Sequence, residues 1–513
     1  MTDATPTAPI RTASGRVRGL TQGALSVFRG IPYAQPPAGS LHLAAPEPAA
    51  TWDGVRDAFA FGPPPPQSLV GGLTGRIAAE GEDWLTVNVW SPDVGAARLP
   101  VLVYIYGGAY VTGSTDGPHY DGSALAARGA VVVTLNYRVG AEGFGVFDDA
   151  PANRGLLDQV AALRWVRENI AAFGGDPDRV TVFGESAGAG SVAALLAMPS
   201  AAGLFRRAVA QSVPGTYFSL DLARDIGARI AERLGAPGAG AAQVAAYAPK
   251  SLRDATDDLI RALPAYADRW GRVAHTATPF GPVVDGEVLP ATPWEALAGG
   301  AARDVELLTG HNRDEYRLFT IMAGRYGKTT EEEAAEALRR FGPGPDAEAR
   351  YRVAYPSAGP TDLHELVLSD WLFRMPTLRL AEAHTAGGGT SYAYELYWQA
   401  PGAGGSMGAC HALDVPLVFG TLDSDFAGLF LGAEVPPAAR ALSEEMGTAW
   451  TAFAAGEGPG WAPFTADGRA TRVLDAPSRT ASYPEEVSRL LWEGVDFAPL
   501  DLGPDPAATQ PGA

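Results

Sequence analysis

The stretch VTVFGESAGAGS, residues 180–191, sets one serine, Ser186, between Gly184 and Gly188, behind an apolar β-branched run and ahead of the helix-compatible SVAALLAM at 191–198. Its glycines could cradle a phosphate, or its serine could be a nucleophile held on a sharp turn. A dinucleotide fingerprint needs G-x-G-x-x-G directly after a strand, and Gly184, Gly188 and Gly190 have the wrong spacing. A second glycine-rich piece, GRYGKTT at 324–330, has two residues between its glycines where a phosphate loop has four. G-x-S-x-G does fit, because small flanking residues permit the strained strand-to-helix turn that lifts a serine hydroxyl to the top of a sheet, beside a helix N-terminus. In a chain with 62 glycines the pattern also arises by chance. The strand before it and the helix after it favour the nucleophile.

Working outward, apolar runs dense in β-branched and aromatic residues recur at 99–108, 130–139, 179–184, 305–310 and 391–398. Such runs suit strands buried on both faces of a mostly parallel sheet. Between them, LLDQVAALRWVRENIAAFGG at 156–175 has helical periodicity and closes on glycines. Strand, helix, strand is the α/β signature. Helical segments at 219–234, 331–340 and 436–455 are expected to be insertions covering one end of the sheet. One catalytic domain is expected over 1–500, and the Pro- and Gly-rich piece 501–513 is expected to be disordered.

Lys and Arg number 39 against 58 Asp and Glu, a formal charge of −19, which repels polyanions and argues against nucleic-acid or anionic-membrane partners. A neutral or cationic small molecule fits better. The single cysteine, Cys410, excludes an intrachain disulfide and a cysteine zinc cluster. The N-terminal residues lack a basic start followed by an apolar core, and no apolar run reaches about 18 residues, so a soluble cytoplasmic chain is expected. A monomer or weak homo-oligomer with no cofactor completes the expectation.

A serine attacks esters only with a base, an acid to orient the base, and donors for the oxyanion. YIYGGAYVTG at 104–113 follows a predicted strand, and its glycines let backbone N–H groups approach a substrate, giving Gly108, Ala109 and, after the nucleophile, Ala187 as donors. In the order serine, acid, histidine the base lies downstream of Ser186. Of the five histidines there, His411 sits in a small-residue loop before the apolar segment 413–420 and suits delivery to a sheet edge. For the acid, Asp314 and Glu315 stand side by side after a predicted strand. Neighbouring side chains point apart, so one faces the base and the other solvent or an arginine. Spacing does not choose between them.

These residues, with FRGIPYAQPP at 28–37, EDWLTVNVWSP at 82–92, NYRVG at 136–140, GLLDQ at 155–159, RDEY at 313–316 and HALDVPLVFG at 411–420, resemble the type-B carboxylesterases, the family of the cholinesterases, and most closely the bacterial p-nitrobenzyl esterases. The resemblance covers nearly the whole chain. It implies an α/β-hydrolase fold and a serine esterase, and selects Glu315 as the acid. It also implies that Glu185 and Ser212 support the histidine and that Arg138 and Asp158 form a structural ion pair. The chain departs from the family at Tyr316 and Ala109, where glycines are common, at Trp84 in place of a cysteine, and at His42 in place of an arginine that pairs with the glutamate at 82. The aromatic that cholinesterases use for choline is missing, which argues against cholinesterase activity. The expected substrate is a small neutral aryl or alkyl ester. Carbamates, amides, aromatic-polyester oligomers and a non-catalytic binding role are the alternatives. Pocket walls are expected from 61–81, Tyr217, Phe218, 265–280 and 317–326, and kcat/KM is expected to fall on acidification near the free imidazole value of about 6.5.

Overall fold

The structure is a computed structural model that describes residues 5–68, 70, 81–95, 98–238, 240–276 and 278–503. Its centre is a twelve-stranded sheet. In chain order the strands are β1 Thr5–Pro6, β2 Leu20–Gln22, β3 Leu25–Pro32, β4 Thr86–Ser91, β5 Leu99–Ile105, β6 Val131–Leu135, β7 Gly175–Glu185, β8 Arg207–Gln211, β9 Glu306–Asn312, β10 Ser391–Leu396, β11 Thr471–Leu474 and β12 Arg479–Ala481. They lie in the order β1-β2-β3-β4-β6-β5-β7-β8-β9-β10-β11-β12. The seven strands from β6 to β11 run parallel, and antiparallel pairs flank them. The apolar runs become these strands because residues such as Val101, Leu102 and Val103 are buried on both faces of β5. Each such burial is worth about 1.5–3 kcal/mol.

The helices include α1 Arg154–Asn169, α2 Ala187–Ala197, α3 Leu220–Arg233, α4 Glu331–Phe341 and α5 Pro437–Ala455. Every residue of α2 is buried, which its AGAGSVAALLA sequence permits. Helix α4 explains GRYGKTT: Thr330 caps the helix through the Glu333 N–H, and the Glu333 carboxylate returns to the Thr330 N–H. That motif is a helix start, with Glu331, Glu332 and Glu333 in the first turn and Arg339 and Arg340 in the last, as the helix dipole favours.

Arg138 and Asp158 are fully buried and meet through Nε and Nη2 at 2.8 and 2.7 Å. His42 has a different partner from the expected glutamate at 82. Its Nε2 lies 2.8 Å from Glu142 and its Nδ1 2.8 Å from the Ala245 carbonyl, inside the protein, whereas Glu82 is exposed. Trp84 is buried in the core. At the C-terminus Asp501 accepts a 2.7 Å bond from Ser219 and the Gly503 N–H donates to Arg269 at 2.7 Å, while the expected disorder of 504–513 lies outside the described residues. No helix among the described residues is long and apolar enough to cross a membrane.

Four neighbouring parallel strands, β5, β7, β8 and β9, release their chains at one edge. Gly107–Ala109 follow β5, Ser186 follows β7, Ser212 follows β8 and Glu315 follows β9. The carboxyl ends of parallel strands are where α/β sheets hold their ligands.

Candidate active site

Ser186 has φ 59 and ψ −126, an uncommon conformation for a residue with a side chain, at the junction of β7 and α2. The two glycines around it are required by packing. A Cβ on Gly188 would stand 2.1 Å from the Ile105 carbonyl oxygen, and one on Gly184 would stand 2.6 Å from the Gly188 carbonyl carbon. Both obstacles are backbone. Gly188→Ala is therefore expected to destabilise the protein by several kcal/mol, on the order of the largest overpacking penalties. A thermal melt checks this, and a Tm within a few degrees of wild type would contradict it.

The elbow brings the serine to the histidine. Ser186 Oγ lies 2.8 Å from His411 Nε2, and His411 Nδ1 lies 2.6 Å from Glu315 Oε2. The second oxygen of Glu315 accepts bonds from Ser212 Oγ at 2.5 Å and from the Asn312 N–H at 2.8 Å. His411, Glu315, Ser212 and Asn312 are buried. Asp314 turns away. Its carboxylate accepts the Ala409 N–H at 3.0 Å and lies 3.3 Å from Arg317, so it ties the acid loop to the loop before His411. Tyr316, the departure beside the acid, has φ −74, which any residue adopts.

Three consecutive residues after β5 have positive φ: Gly108 at 115, Ala109 at 58 and Tyr110 at 60. The turn closes through the Gly108 carbonyl, which accepts the Val111 and Thr112 N–H groups at 3.1 Å. Among the described residues no acceptor meets the N–H of Gly108, Ala109 or Ala187. All three residues line one cavity with Ser186 and His411. Gly107 makes the approach possible, since a Cβ there would come within 2.9 Å of Glu185 Oε2 and 3.0 Å of Ser186 Cβ.

Glu185 is buried with Oε1 3.2 Å from His411 Nε2, and that oxygen makes no hydrogen bond of its own. Burial pushes its carboxyl up to about 8, helped by Asp414 and Glu315 and opposed by His411. For His411, burial alone disfavours the charged ring, but Glu185 and Glu315 outweigh it and push the imidazole up to about 9. The pair therefore holds a shared proton to higher pH than either free group does. The fall of kcat/KM on acidification is therefore expected above the free imidazole value of about 6.5, shifted by the carboxylates beside His411. Glu185→Gln removes the carboxylate that holds the proton on His411, so the acid limb of kcat/KM should move to lower pH. A limb that stays in place or moves upward in a pH–rate series contradicts that role for Glu185.

The cavity holds about 430 Å³. Its expected walls from 265–280 and 317–326 are present as His275, Thr276, Thr278, Phe280, Phe319 and Met322. Tyr217 and Phe218 are not among its lining: Tyr217 is buried and donates to the Gly190 carbonyl at 2.6 Å, and Phe218 pairs with Val283. Of 61–81, residues 69 and 71–80 lie outside the described residues. A wall missed from sequence comes from DWLFR at 370–374, a single π-helical turn that sets Trp371, Leu372 and Phe373 into the cavity. Phe373 stacks on the His411 ring at 4.2 Å and 28°, with Phe319 at 5.3 Å. Such turns recur at functional sites and have no periodicity signal of their own. Also missed is Asp414, buried and accepting from Gln211 at 2.7 Å and Tyr394 at 3.0 Å, which braces the segment after His411. Among the described residues no group of three or more His, Cys, Asp or Glu side chains is placed to hold a metal ion.

A sequence profile of the carboxylesterase family matches residues 6–475. The chain belongs to the carboxylesterase family. This carboxylesterase is 38% identical over 501 residues to the para-nitrobenzyl esterase of Bacillus subtilis (strain 168), covering 94% of this chain and 97% of that protein. It is 36% identical over 461 residues to the fumonisin B1 esterase of Sphingopyxis macrogoltabida, covering 86% and 81%. Among solved structures, a carboxylesterase of Geobacillus stearothermophilus superposes with a TM-score of 0.83 at 37% identity, covering 95% of this chain and 100% of that one. The α/β-hydrolase fold of these esterases is the fold of this carboxylesterase.

Proposed function

We propose that this carboxylesterase hydrolyses small neutral carboxylic esters through an acyl-enzyme on Ser186. The observation that carries the reading is the unbroken contact chain from Ser186 Oγ through His411 to Glu315, beside three backbone N–H groups that meet no acceptor among the described residues. His411 Nε2 takes the serine proton as Oγ bonds to the ester carbonyl carbon. The carbonyl oxygen becomes an oxyanion and receives the N–H groups of Gly108, Ala109 and Ala187, each donor worth about 10²–10³ in rate at comparable sites. Glu315 accepts the Nδ1–H of the imidazolium and holds the ring in place. Collapse breaks the bond to the alcohol oxygen, which takes the proton from His411. Water then attacks the acyl-enzyme with the same histidine as base, releasing the acid and restoring Ser186.

A neutral substrate is favoured because the described lining of the cavity contains no Lys, Arg or Asp and its one carboxylate is Glu185. Aromatic walls at Phe280, Phe319, Trp371 and Phe373 suit aryl or alkyl groups. The relatives named as esterases support the same class. Treatment with a p-nitrophenyl organophosphonate tests the reading. One equivalent should attach to the peptide that contains Ser186 and abolish p-nitrophenyl acetate hydrolysis in proportion. Label on another residue, or full activity in labelled enzyme, refutes it.

A further inference from the structure

The oxyanion donors stand on a turn whose backbone needs support from outside. Gly108, Ala109 and Tyr110 all have positive φ, and Gly113 ends the turn at φ 132. Residues with side chains keep such conformations only where their surroundings fix them. Two carbonyls of the turn are met by backbone N–H groups: Tyr110 by Gly140 at 2.6 Å and Val111 by Ser68 at 2.8 Å. The rest of the support comes from one side chain. Gln67 Oε1 accepts the Gly113 N–H at 2.9 Å and the Thr112 hydroxyl at 2.6 Å, and Gln67 Nε2 donates to the carbonyls of Gly113 and Pro65, both at 3.3 Å. Among the described residues no other side chain from outside the turn bonds to the backbone of 107–113.

The sequence around Gln67 delivers it to that place. It ends FGPPPPQ at 61–67, and the four proline rings at 63–66 each fix φ, so the segment carrying the amide is stiff. Both ends of the segment are fastened. The Pro63 carbonyl accepts the Asn136 amide at 3.4 Å, and the Ser68 hydroxyl donates to Asp257 on the helix Pro249–Ala262. The Gln67 amide is buried and accepts twice and donates twice, the full capacity of a primary amide. Turned over, it would set its NH₂ against the Gly113 N–H and its oxygen against two carbonyls, so one orientation is fixed. Packing carries this hold to the donors. A Cβ on Gly113 would stand 2.4 Å from the Tyr106 ring and 2.8 Å from the Gly107 carbonyl oxygen, and one on Gly108 would stand 2.2 Å from the Thr112 carbonyl oxygen. Thr112 and Gly113 thus lie directly on Gly107 and Gly108, and a shift of the first pair displaces the second.

We propose that Gln67 is a positioning residue for the oxyanion hole: bonded to Thr112 and Gly113, it holds the 107–113 turn so that the Gly108 and Ala109 N–H groups are aimed before the substrate arrives. The inference rests on the Ser186 reading and deepens it. Gln67 itself touches neither the ester nor the reacting atoms. Its effect falls on the transition state, because donors already in place lose nothing to reorganisation as the oxyanion forms, and a displaced donor loses most of its effect. Both acylation and deacylation pass through an oxyanion at the same place, so both steps depend on it.

Two variants test this with p-nitrophenyl acetate as substrate and a matched pair of inhibitors, an alkyl trifluoromethyl ketone and the methyl ketone of the same chain. Ser186 Oγ bonds to the carbonyl carbon of the fluorinated ketone, its proton passes to His411 Nε2, and the carbonyl electron pair leaves a negative oxygen where the ester oxyanion forms. The methyl ketone binds without that step and reports the ground state. Gln67→Met keeps the length and removes all four bonds. It should lower kcat by about 10²-fold with KM within about threefold, and raise Ki for the trifluoromethyl ketone by a similar factor while Ki for the methyl ketone stays within about threefold. Gln67→Glu keeps the acceptor for Gly113 and Thr112 and, buried against two carbonyls, keeps a proton to donate to one of them, so it should lose only about tenfold in kcat, again matched by the trifluoromethyl ketone. Thermal melts set the working temperature below the transition of each variant. A kcat within about threefold of wild type in every variant that folds overturns the proposal, as does a loss of kcat with no matching rise in Ki for the trifluoromethyl ketone, which makes Gln67 a stabiliser of the fold alone. A wild-type protein that neither hydrolyses p-nitrophenyl acetate nor binds the trifluoromethyl ketone more tightly than the methyl ketone removes the Ser186 reading, and this proposal with it.

Discussion

Replacing Ser186 with alanine is expected to lower kcat by about 10⁵- to 10⁶-fold and to leave a residue of hydrolysis above the water rate, because the oxyanion donors and the cavity survive the substitution. The same variant should barely change stability. Its Cβ keeps the conformation at φ 59 and ψ −126 as strained as serine does, and among the described residues the hydroxyl bonds to His411 alone. Glycine at the same position separates the two effects. It removes the Cβ and so relieves strain of about 1–3 kcal/mol, offset by about 0.5–1 kcal/mol of added chain entropy. Ser186→Gly should therefore be as inactive as Ser186→Ala and melt at an equal or higher temperature. Steady-state rates with p-nitrophenyl acetate and paired thermal melts decide both points. More than a hundredth of wild-type kcat in Ser186→Ala removes Ser186 as nucleophile, and a Tm several degrees lower in Ser186→Gly than in Ser186→Ala removes the strain account.

How far the site could be read from sequence depended on what constrained each residue. Gly184, Gly107 and Gly188 were legible because backbone atoms occupy the space of their missing side chains, so the spacing around Ser186 is forced by local geometry. The parallel core was legible for a similar reason, since strands such as β5 and β6 are apolar on both faces. His411 was only the best of five histidines because nothing local marks it. The fold employs others elsewhere: His311 with Tyr483 at 2.9 Å, His384 with Ser391 at 2.8 Å, and His275 with Arg340. Asp314 and Glu315 could not be told apart by spacing, because the difference lies in tertiary partners, Arg317 for one and His411 for the other. Trp371, Leu372 and Phe373 escaped notice since a lone π turn matches neither helical nor strand periodicity. Tyr217 was misplaced because an aromatic near Ser212 can face the cavity or the core, and its bond to Gly190 puts it in the core.

Glu315→Gln is expected to cost about 10³- to 10⁴-fold in kcat/KM although it changes neither size nor shape. The reason lies in which oxygen must remain an oxygen. The Oε1 position accepts the Asn312 N–H at 2.8 Å, a backbone donor that cannot rotate, together with Ser212 Oγ at 2.5 Å. The amide of glutamine therefore keeps its oxygen there and turns its NH₂ to the Oε2 position, 2.6 Å from His411 Nδ1. A donor facing Nδ1 forces that nitrogen to accept, which moves the ring proton to Nε2. Nε2 is then a donor toward Ser186, 2.8 Å away, and can no longer take the serine proton. The variant also lacks the negative charge that stabilises the imidazolium during attack. Ser212→Ala, by contrast, leaves Asn312 on Oε1 and the tautomer intact, so it should cost about ten- to a hundredfold, the worth of one hydrogen bond to a charged group. Rates for the two variants at a pH above the acid limb separate tautomer from simple hydrogen-bond loss. A Glu315→Gln enzyme within about tenfold of wild type would mean that Glu315 does not orient the base.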